Sequence, residues 1–137
     1  MSKIVNSWNE WDPLKRVIVG RPEGTQVPAP EPGAQMDIPN HGYPLGTYGP
    51  LPQDMVDEAN EQMNFFVETM EKRGITVDRV TVHPNLLGVR SFGTPDWTQL
   101  NSRGINNPRD VFLPIGNEIM EATGCLRSRW YEYLNLR

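Results

Sequence analysis

Apolar positions recur at helical spacing through one long stretch of the sequence, residues 54–73. They form a single stripe on that stretch: Met55, Val56, Ala59, Met63, Phe66, Val67 and Met70. Lys72 and Arg73 suit the negative end of a helix dipole, and Gly74 is a favoured residue just beyond a helix end. The spacing therefore predicts an amphipathic helix over residues 54–73.

Shorter apolar runs predict strands on both sides of this helix. Residues 15–20 contain the β-branched run VIV, which is typical of a strand that is buried on both faces. Residues 75–82 follow the helix with apolar positions at nearly alternate places, and they predict a second strand. The order of strand, helix and strand is typical of an α/β fold.

The last third of the sequence predicts a hairpin followed by a helix. Residues 110–115 and 118–122 are apolar enough for strands, and Gly116-Asn117 between them suits a tight turn. Pro114 cannot donate a backbone hydrogen bond, so the first of these strands is expected at a sheet edge or distorted. Residues 125–137 have a helical pattern.

Proline and glycine mark the segments that lack a regular pattern. Residues 21–52 hold most of the prolines and form a long loop within a single domain of residues 1–137. Because proline fixes φ and removes a donor, this loop is expected to contain neither a helix nor a central strand. A connection of this length is usually a functional or wrapping loop, or disordered. Residues 92–107 also have the composition of irregular chain.

Composition and charge argue against several classes of function. The formal net charge of −4 disfavours binding to a phosphate backbone, so nucleic acid is not expected as a partner. No apolar run approaches the roughly 18 residues needed to span a bilayer, and the N-terminus lacks a signal core, so we expect a cytoplasmic protein without a membrane partner. One cysteine rules out an internal disulfide. Two histidines and one cysteine are too few for a metal site.

Two side chains invite a chemical role. Asp110 stands at a predicted loop-to-strand junction, where it could offer a planar guanidinium the planar carboxylate that such a cation requires. From the residues alone, a solvated or capping aspartate is the commoner role. Cys125 is the single thiol, but nothing in the sequence brings His41 or His83 near it. A small buried side chain is therefore favoured over a nucleophile.

The remaining aromatic and charged side chains are expected to be structural. The four tryptophans are expected to pack: Trp8, Trp11, Trp97 and Trp130. Five charged side chains are expected to form a network between the hairpin and the final helix: Glu118, Glu121, Arg127, Arg129 and Glu132. Asp96, within TPDW, is expected in a turn.

Two segments of the sequence resemble the amidinotransferase family, which includes glycine and inosamine-phosphate amidinotransferases. They are NSWNEWDPLKRVIVGRPEG at residues 6–24 and NPRDVFLPIGNEIMEATGCLRSRWYEY at residues 107–133. The resemblance implies an α/β fold, the five-bladed β/α propeller of the pentein superfamily. Members of the family carry a cysteine nucleophile near their C-terminus, whereas this chain stops at Arg137. We therefore expect the N-terminal part of a single amidinotransferase domain, comprising the first one to two modules of five.

The resemblance also implies a reaction and one substrate-binding residue. The family motif PRD matches Pro108-Arg109-Asp110, so the binding of a guanidinium is expected of Asp110. The implied partners are L-arginine and an amine acceptor, either glycine-like or an aminocyclitol or other secondary-metabolite amine, with no cofactor and no metal.

The same resemblance implies that this chain lacks the catalytic groups. The family has a small or apolar residue at the position of Cys125, and its histidine motif matches neither His41 nor His83. We therefore expect no catalytic residue within these 137 residues and no activity from the chain alone. Homodimerisation of a full-length protein stays open.

Two further classes of function stay open. One is a truncated, non-catalytic binding or interaction protein that keeps the opening modules of the same fold. The other is a hydrolase or deiminase that shares the propeller, which NEWDPL and EATGCLRSRWYEY favour less than amidino transfer.

Overall fold

The computed structural model of the chain describes residues 4–35, 47–83, 91–122 and 124–136. Within these ranges the protein is an α/β structure with one long helix, several short helical turns and eight short strands that form four two-stranded sheets. No helix in the described ranges is both long enough and apolar enough to cross a membrane.

The long helix lies where the apolar spacing predicts it. Helix α2 spans Gln53–Lys72, with Val56 buried and much of the remaining stripe half-buried. It ends in a Schellman motif, because Gly74 adopts a φ of 78° and donates to the carbonyl of Glu71, while Ile75 donates to the carbonyl of Met70. Two members of the predicted stripe are more exposed than expected, Met55 at 46% and Phe66 at 43%.

One strand that precedes α2 in the sequence pairs in parallel with the strand that follows α2. Strand β1 (Arg16–Val19) lies beside β4 (Thr76–Arg79), and the Arg16 guanidinium spans the pair to the two carboxylate oxygens of Asp78 at 2.5 and 2.8 Å. Both strands fall within their predicted ranges. The prediction that β1 is buried on both faces is wrong, since Ile18 is 38% exposed. Among the described residues, β4 is the only strand beside β1.

The predicted hairpin near the end of the chain is confirmed. Strand β7 (Phe112–Ile115) pairs antiparallel with β8 (Glu118–Glu121), and Gly116 takes a φ of 59° in the turn. The edge position expected from Pro114 is also confirmed, because β8 is the one strand that pairs with β7 in the described ranges.

The loop of residues 21–52 contains more regular structure than its composition predicts. Strand β2 (Gln26–Val27) pairs antiparallel with β3 (Gly49–Pro50), and a four-residue helix α1 covers Pro32–Gln35. The expectation of no helix is therefore wrong for this one turn. Helix α1 begins with Pro32. At the first helical position the missing backbone N–H of proline costs nothing, because that group has no partner within the helix. Residues 36–46 of the predicted loop, including His41, lie outside the described residues.

A second hairpin occupies the segment that was expected to be irregular. Strands β5 (Phe92–Thr94) and β6 (Trp97–Gln99) pair around the turn Pro95-Asp96. A Cβ at Gly93 would lie only 2.1 Å from the carbonyl oxygen of Trp97, so this close approach requires glycine. The strands are three residues long, which is too short for an alternating pattern to show in the sequence. Asp96 does lie in the turn, as expected.

The final segment is helical but not α-helical. It forms two 3-10 segments, Arg127–Arg129 and Glu132–Leu136, in place of one helix over residues 125–137. The second segment packs against the small apolar core through Tyr133 and Leu136. Four residues form the buried part of that core. Val80 directly follows β4, Ile105 and Val111 precede β7, and Phe112 begins β7.

Candidate functional site

Asp110 lies at the mouth of strand β7. It is the last residue of a 3-10 turn, Pro108–Asp110, in which the amide of Asp110 donates to the carbonyl of Asn107 at 3.1 Å. Val111 and Phe112 follow it directly and are buried in the core, so they anchor the turn. The predicted junction position is confirmed, although the strand begins at Phe112 and not at Asp110.

The carboxylate of Asp110 contacts two arginines that differ greatly in exposure. Nη1 of Arg129 lies 2.5 Å from Oδ2 of Asp110, and the Arg129 side chain is only 12% exposed. Nη1 of Arg109 lies 3.5 Å from Oδ1, and the Arg109 side chain is 93% exposed. The Asp110 side chain is itself 33% exposed. One oxygen is thus engaged by a buried cation, whereas the other has only a long contact with a solvated one.

Arg129 is held on its other side by Glu132. Nε and Nη2 of Arg129 each lie 2.7 Å from Oε2 of Glu132, whose side chain is 2% exposed. Nη2 also donates to the carbonyl of Asn107 at 3.3 Å. Oε1 of Glu132 is buried and has no hydrogen-bond partner among the described residues. Asp110, Arg129 and Glu132 therefore form a continuous triad that runs from the surface into the interior.

The triad perturbs the ionisation of all three side chains. The hydrogen bond from Arg129 lowers the pKa of Asp110, against a smaller opposing effect of burial. Burial alone would lower the pKa of Arg129, but Asp110 and Glu132 together outweigh it and raise that pKa. Burial raises the pKa of Glu132 to about 7, and the charge of Arg129 limits the rise. Asp110 is therefore ionised at neutral pH, whereas Glu132 titrates there.

The turn that carries Arg129 is fixed by a carboxylate from the Pro/Gly-rich loop. Glu31 is 2% exposed and accepts hydrogen bonds from the amides of Arg127 and Ser128, and from the hydroxyl of Ser128 at 2.5 Å. These are the first residues of the 3-10 turn, where unpaired amides favour a negative charge. Sequence reasoning missed Glu31, because a single glutamate between two prolines carries no signal of such a partner.

Buried amide side chains hold the loop that presents Glu31. Oδ1 of Asn101 accepts the amide of Ala29 at 2.7 Å, and its Nδ2 donates to Oε1 of Gln26 at 3.0 Å. Gln99 donates to the carbonyl of Ala29 at 3.1 Å. All three amide side chains are at most 3% exposed. The base of the loop is therefore joined to β6 and the chain after it by polar contacts in place of an apolar core.

The predicted charge network forms only in part. Arg129 and Glu132 pair as expected, and Asp110, which was not among the predicted members, also pairs with Arg129. Arg127 instead lies over the ring of Trp97, with its guanidinium carbon 4.7 Å from the ring centre. Glu118 is exposed on β8.

The tryptophans divide into two packed residues and two exposed ones. Trp97 and Trp130 meet edge to face with ring centres 5.0 Å apart, as expected of packing residues. Trp8 and Trp11 are 72% and 84% exposed, so the packing expected of them is wrong for Trp11 and holds for Trp8 only where its ring lies against Gly116. They lie in the N-terminal segment, which contacts the β7–β8 turn through an isolated bridge between Ser7 and Gly116.

Cys125 lies at the surface, ahead of the turn that carries Arg129. It is a free and exposed thiol, so the expectation of a small buried side chain is wrong. It lies in a bend just after Gly124, which adopts a φ of 67° ahead of the Arg127–Arg129 turn. The backbone amide of His83 donates to Oδ1 of Asn135 at 2.7 Å, and His41 lies outside the described residues. Within the described ranges, no group of three or more His, Cys, Asp and Glu side chains could hold a metal ion.

Comparison with known proteins identifies relatives for nearly the whole chain. No family model matches the sequence. The chain is 34% identical over 132 residues to the mitochondrial glycine amidinotransferase of Xenopus laevis, covering 94% of this chain and 30% of that protein. It is 30% identical over 131 residues to L-arginine:L-lysine amidinotransferase of Pseudomonas savastanoi pv. phaseolicola, covering 93% of this chain and 35% of that protein.

A solved structure extends the similarity from sequence to fold. SxtG, an amidinotransferase of the saxitoxin biosynthetic pathway of Microseira wollei, superimposes with a TM-score of 0.79 and 40% sequence identity. The superposition covers 97% of this chain and 36% of SxtG, so the chain spans about a third of the length of the proteins that it matches. The sequence similarity and the superposition agree: the chain belongs to the amidinotransferase family.

Proposed function

We propose that this chain supplies the arginine-binding carboxylate of an amidinotransferase, which moves the amidino group of L-arginine to an amine acceptor. Asp110 is the residue that binds the guanidinium. The observation that carries the proposal is the ionised, one-third exposed carboxylate at the mouth of β7, with Oδ1 left without a close partner. The name of the Pseudomonas relative gives L-arginine as a substrate of that protein, which supports the choice of donor.

The chemistry of a guanidinium suits such a carboxylate. A guanidinium is planar, permanently charged and rich in N–H donors, so it pairs best with an anion held in a fixed orientation. The 3-10 turn and the buried residues that follow it supply that orientation for Asp110. An exposed aspartate on a flexible loop would lose more side-chain entropy on binding.

The reaction itself requires groups that these residues do not supply. In the proposed mechanism a cysteine thiolate attacks the guanidinium carbon of arginine. The bond between that carbon and Nε then breaks, Nε gains a proton, and ornithine leaves. The acceptor amine then attacks the amidino-cysteine, loses a proton and releases the thiolate. We assign the thiolate and its acid–base partner to segments of the family that this chain does not match, and we assign neither role to Cys125.

The same proposal extends to architecture. We infer that residues 1–137 are the N-terminal part of one amidinotransferase domain, equivalent to the first one to two modules of a five-bladed β/α propeller. The two-stranded sheets and the exposed β7–β8 hairpin suit units that pack against further modules: Leu113 and Ile115 are each 53% exposed and Met120 is 56% exposed. The acceptor amine stays unassigned between glycine-like and aminocyclitol types.

Ligand binding tests the role of Asp110. L-arginine and L-citrulline, its uncharged isostere, are titrated into the chain by NMR, and arginine is expected to bind with the higher affinity. Asp110→Asn should lower the affinity for arginine roughly 30-fold or more and leave that for citrulline nearly unchanged. Asp96→Asn, at an exposed turn, is the matched control. Equal affinities for the two ligands in the parent chain, or an Asp110→Asn variant that keeps the preference, would refute the proposal.

A non-catalytic binding or interaction protein built on the same modules is the second candidate. The exposed apolar side chains of the β7–β8 hairpin, Leu113, Ile115 and Met120, suit a surface that binds another protein. Sequencing downstream of the codon for Arg137 separates the two candidates: further amidinotransferase sequence with a cysteine would support the enzyme, and a stop codon would support the binding protein.

A further inference from the structure

The Asp110–Arg129 contact poses an electrostatic problem for a carboxylate that binds a cation. At 2.5 Å the Arg129 guanidinium already compensates the charge of Asp110. Arg129 is also 12% exposed, so water screens its charge poorly. An incoming guanidinium would then meet a nearly neutral pair, and would be repelled by Arg129 almost as strongly as Asp110 attracts it.

Glu132 resolves this problem from the interior. Its Oε2 lies 2.7 Å from both Nε and Nη2 of Arg129, on the opposite edge of the guanidinium from the atom that contacts Asp110. Its side chain is 2% exposed, so it cannot touch a ligand in solvent. With Glu132 ionised, the three side chains carry one net negative charge, and Asp110 is the most exposed of the three.

We propose that Arg129 and Glu132 are positioning residues for Asp110: Arg129 fixes the orientation of the carboxylate, and Glu132 neutralises Arg129 so that Asp110 keeps its negative charge for a guanidinium. This inference rests on the proposed role of Asp110 and extends it to the two residues behind it. It assigns a function to a buried glutamate that has no place in the reaction chemistry.

The backbone geometry supports this assignment. Arg129 is held through its backbone and through its side chain. Glu31 accepts hydrogen bonds from the first two amides of the 3-10 turn that carries Arg129, and the Asn107 carbonyl accepts one from Nη2 of Arg129 at 3.3 Å. The same Asn107 carbonyl accepts the backbone amide of Asp110, so the Arg129 side chain and the Asp110 backbone are tied to one atom. Such a double anchor restricts Oδ2 of Asp110 to one direction, and Oδ1 has only the 3.5 Å contact with the exposed Arg109, which a ligand can replace.

The charge relation predicts how binding depends on pH. The charged groups that act on Glu132 are Arg129, Arg103 and Asp110. Protonation of Glu132 removes the negative charge that offsets Arg129. Arginine affinity should therefore fall as the pH drops from 8 to 6, while citrulline affinity stays level. Because imidazoles also change charge between pH 5 and 8, the titration is repeated on a variant with both histidines replaced by glutamine.

The decisive experiment measures the ratio of arginine to citrulline affinity in the full chain. Glu132→Gln should lower this ratio at pH 8 roughly tenfold and remove its pH dependence. The lost negative charge acts at short range, because only the Arg129 guanidinium and the Asp110 carboxylate separate Glu132 from the bound ligand. The double variant Arg129→Met/Glu132→Met removes one charge of each sign and should recover most of the ratio. Replacement of a buried ion pair by apolar side chains is often tolerated by the fold. Thermal melts confirm that each variant is folded.

The possible outcomes separate the two proposals. If Asp110→Asn loses the arginine preference but Glu132→Gln keeps it within twofold, the role of Glu132 is refuted and that of Asp110 stands. If the double variant binds as poorly as Glu132→Gln, a packing role replaces the electrostatic one. If Asp110→Asn changes nothing, the proposed function itself fails.

A second measurement needs no ligand. Carboxyl-carbon NMR follows the titration of Asp110 in each variant. Glu132→Gln should lower the pKa of Asp110 further, because Arg129 then has no second anion to neutralise it, whereas Arg129→Met should raise that pKa. An Asp110 titration that neither substitution moves would overturn the inference even where binding is too weak to measure.

Discussion

The carboxylate of Glu31 accepts a hydrogen bond of 2.5 Å from the hydroxyl of Ser128, although the two residues stand 97 positions apart. This contact joins the Pro/Gly-rich loop to the turn that carries Arg129, and so to the surroundings of Asp110. A segment with the composition of a mere connection therefore stabilises the candidate site.

We predict that Glu31→Gln destabilises the protein by about 2–4 kcal/mol, because an amide supplies one acceptor oxygen and turns its NH₂ group toward buried donors. The melting temperature should fall by roughly 10 °C. Glu61→Gln, on the exposed face of α2, is the control and should leave the melt unchanged. A Glu31→Gln variant that melts within two degrees of the parent would show that the contact contributes little.

Glu132 is predicted to make stability depend on pH in the direction opposite to most carboxylates. Its pKa in the folded chain is about 7, above the ordinary value of 4.5, so the folded state holds a proton that the unfolded state has lost. The stabilisation is complete below about pH 4.5 and is lost as the pH rises through 7, a loss of roughly 3 kcal/mol. Asp110 has a lowered pKa and acts the other way, but only in strongly acidic solution.

Urea unfolding at pH 5, 6, 7 and 8 measures this effect as the difference between the parent and Glu132→Gln. The parent should lose stability relative to the variant as the pH rises, because glutamine cannot ionise. The variant without histidines again serves as the control. Parallel stability curves for the parent and Glu132→Gln would contradict the shifted pKa.

Gly93→Ala is predicted to open the β5–β6 hairpin. The added Cβ would lie 2.1 Å from the Trp97 carbonyl oxygen, a backbone atom that cannot move without breaking the pair. We expect a loss of about 2 kcal/mol and a weaker near-ultraviolet signal from the Trp97–Trp130 contact. Gly33→Ala is the matched control, because its close contact, at 2.8 Å, is with the flexible end of Leu126, and the Cys125 carbonyl oxygen at 3.4 Å is at ordinary contact distance. A Gly93→Ala variant no less stable than that control would show that the hairpin adapts.

The chain alone is predicted to release no ornithine from arginine in the presence of glycine or another amine. The reason is that the family resemblance matches neither the nucleophilic cysteine nor the histidine of amidinotransferases to a residue of this sequence, so the thiolate and its base are not expected here. Ornithine is measured after prolonged incubation, with Cys125→Ser as the comparison. Ornithine formation that this substitution abolishes would identify Cys125 as the nucleophile and overturn the assignment.

Local pattern was sufficient wherever the structure depends on neighbours in sequence. The apolar stripe before Gly74 located α2, and Gly116-Asn117 located the β7–β8 turn, because helix spacing and turn conformation are set by a few adjacent residues. The strand pattern also placed Asp110 at the mouth of its strand. Its proposed role in guanidinium binding came from the family resemblance, since the residues alone favoured a commoner role.

Tertiary structure decided everything that depends on distant partners. The sequence indicated that Arg129 and Glu132 belong to a charged group, but only the fold joined Asp110 to them and showed that Glu132 is buried. Glu31 and the exposure of Cys125 were beyond sequence reasoning for the same reason. Burial and hydrogen bonding of a polar side chain depend on what the rest of the chain brings against it, and no spacing along the sequence encodes that encounter.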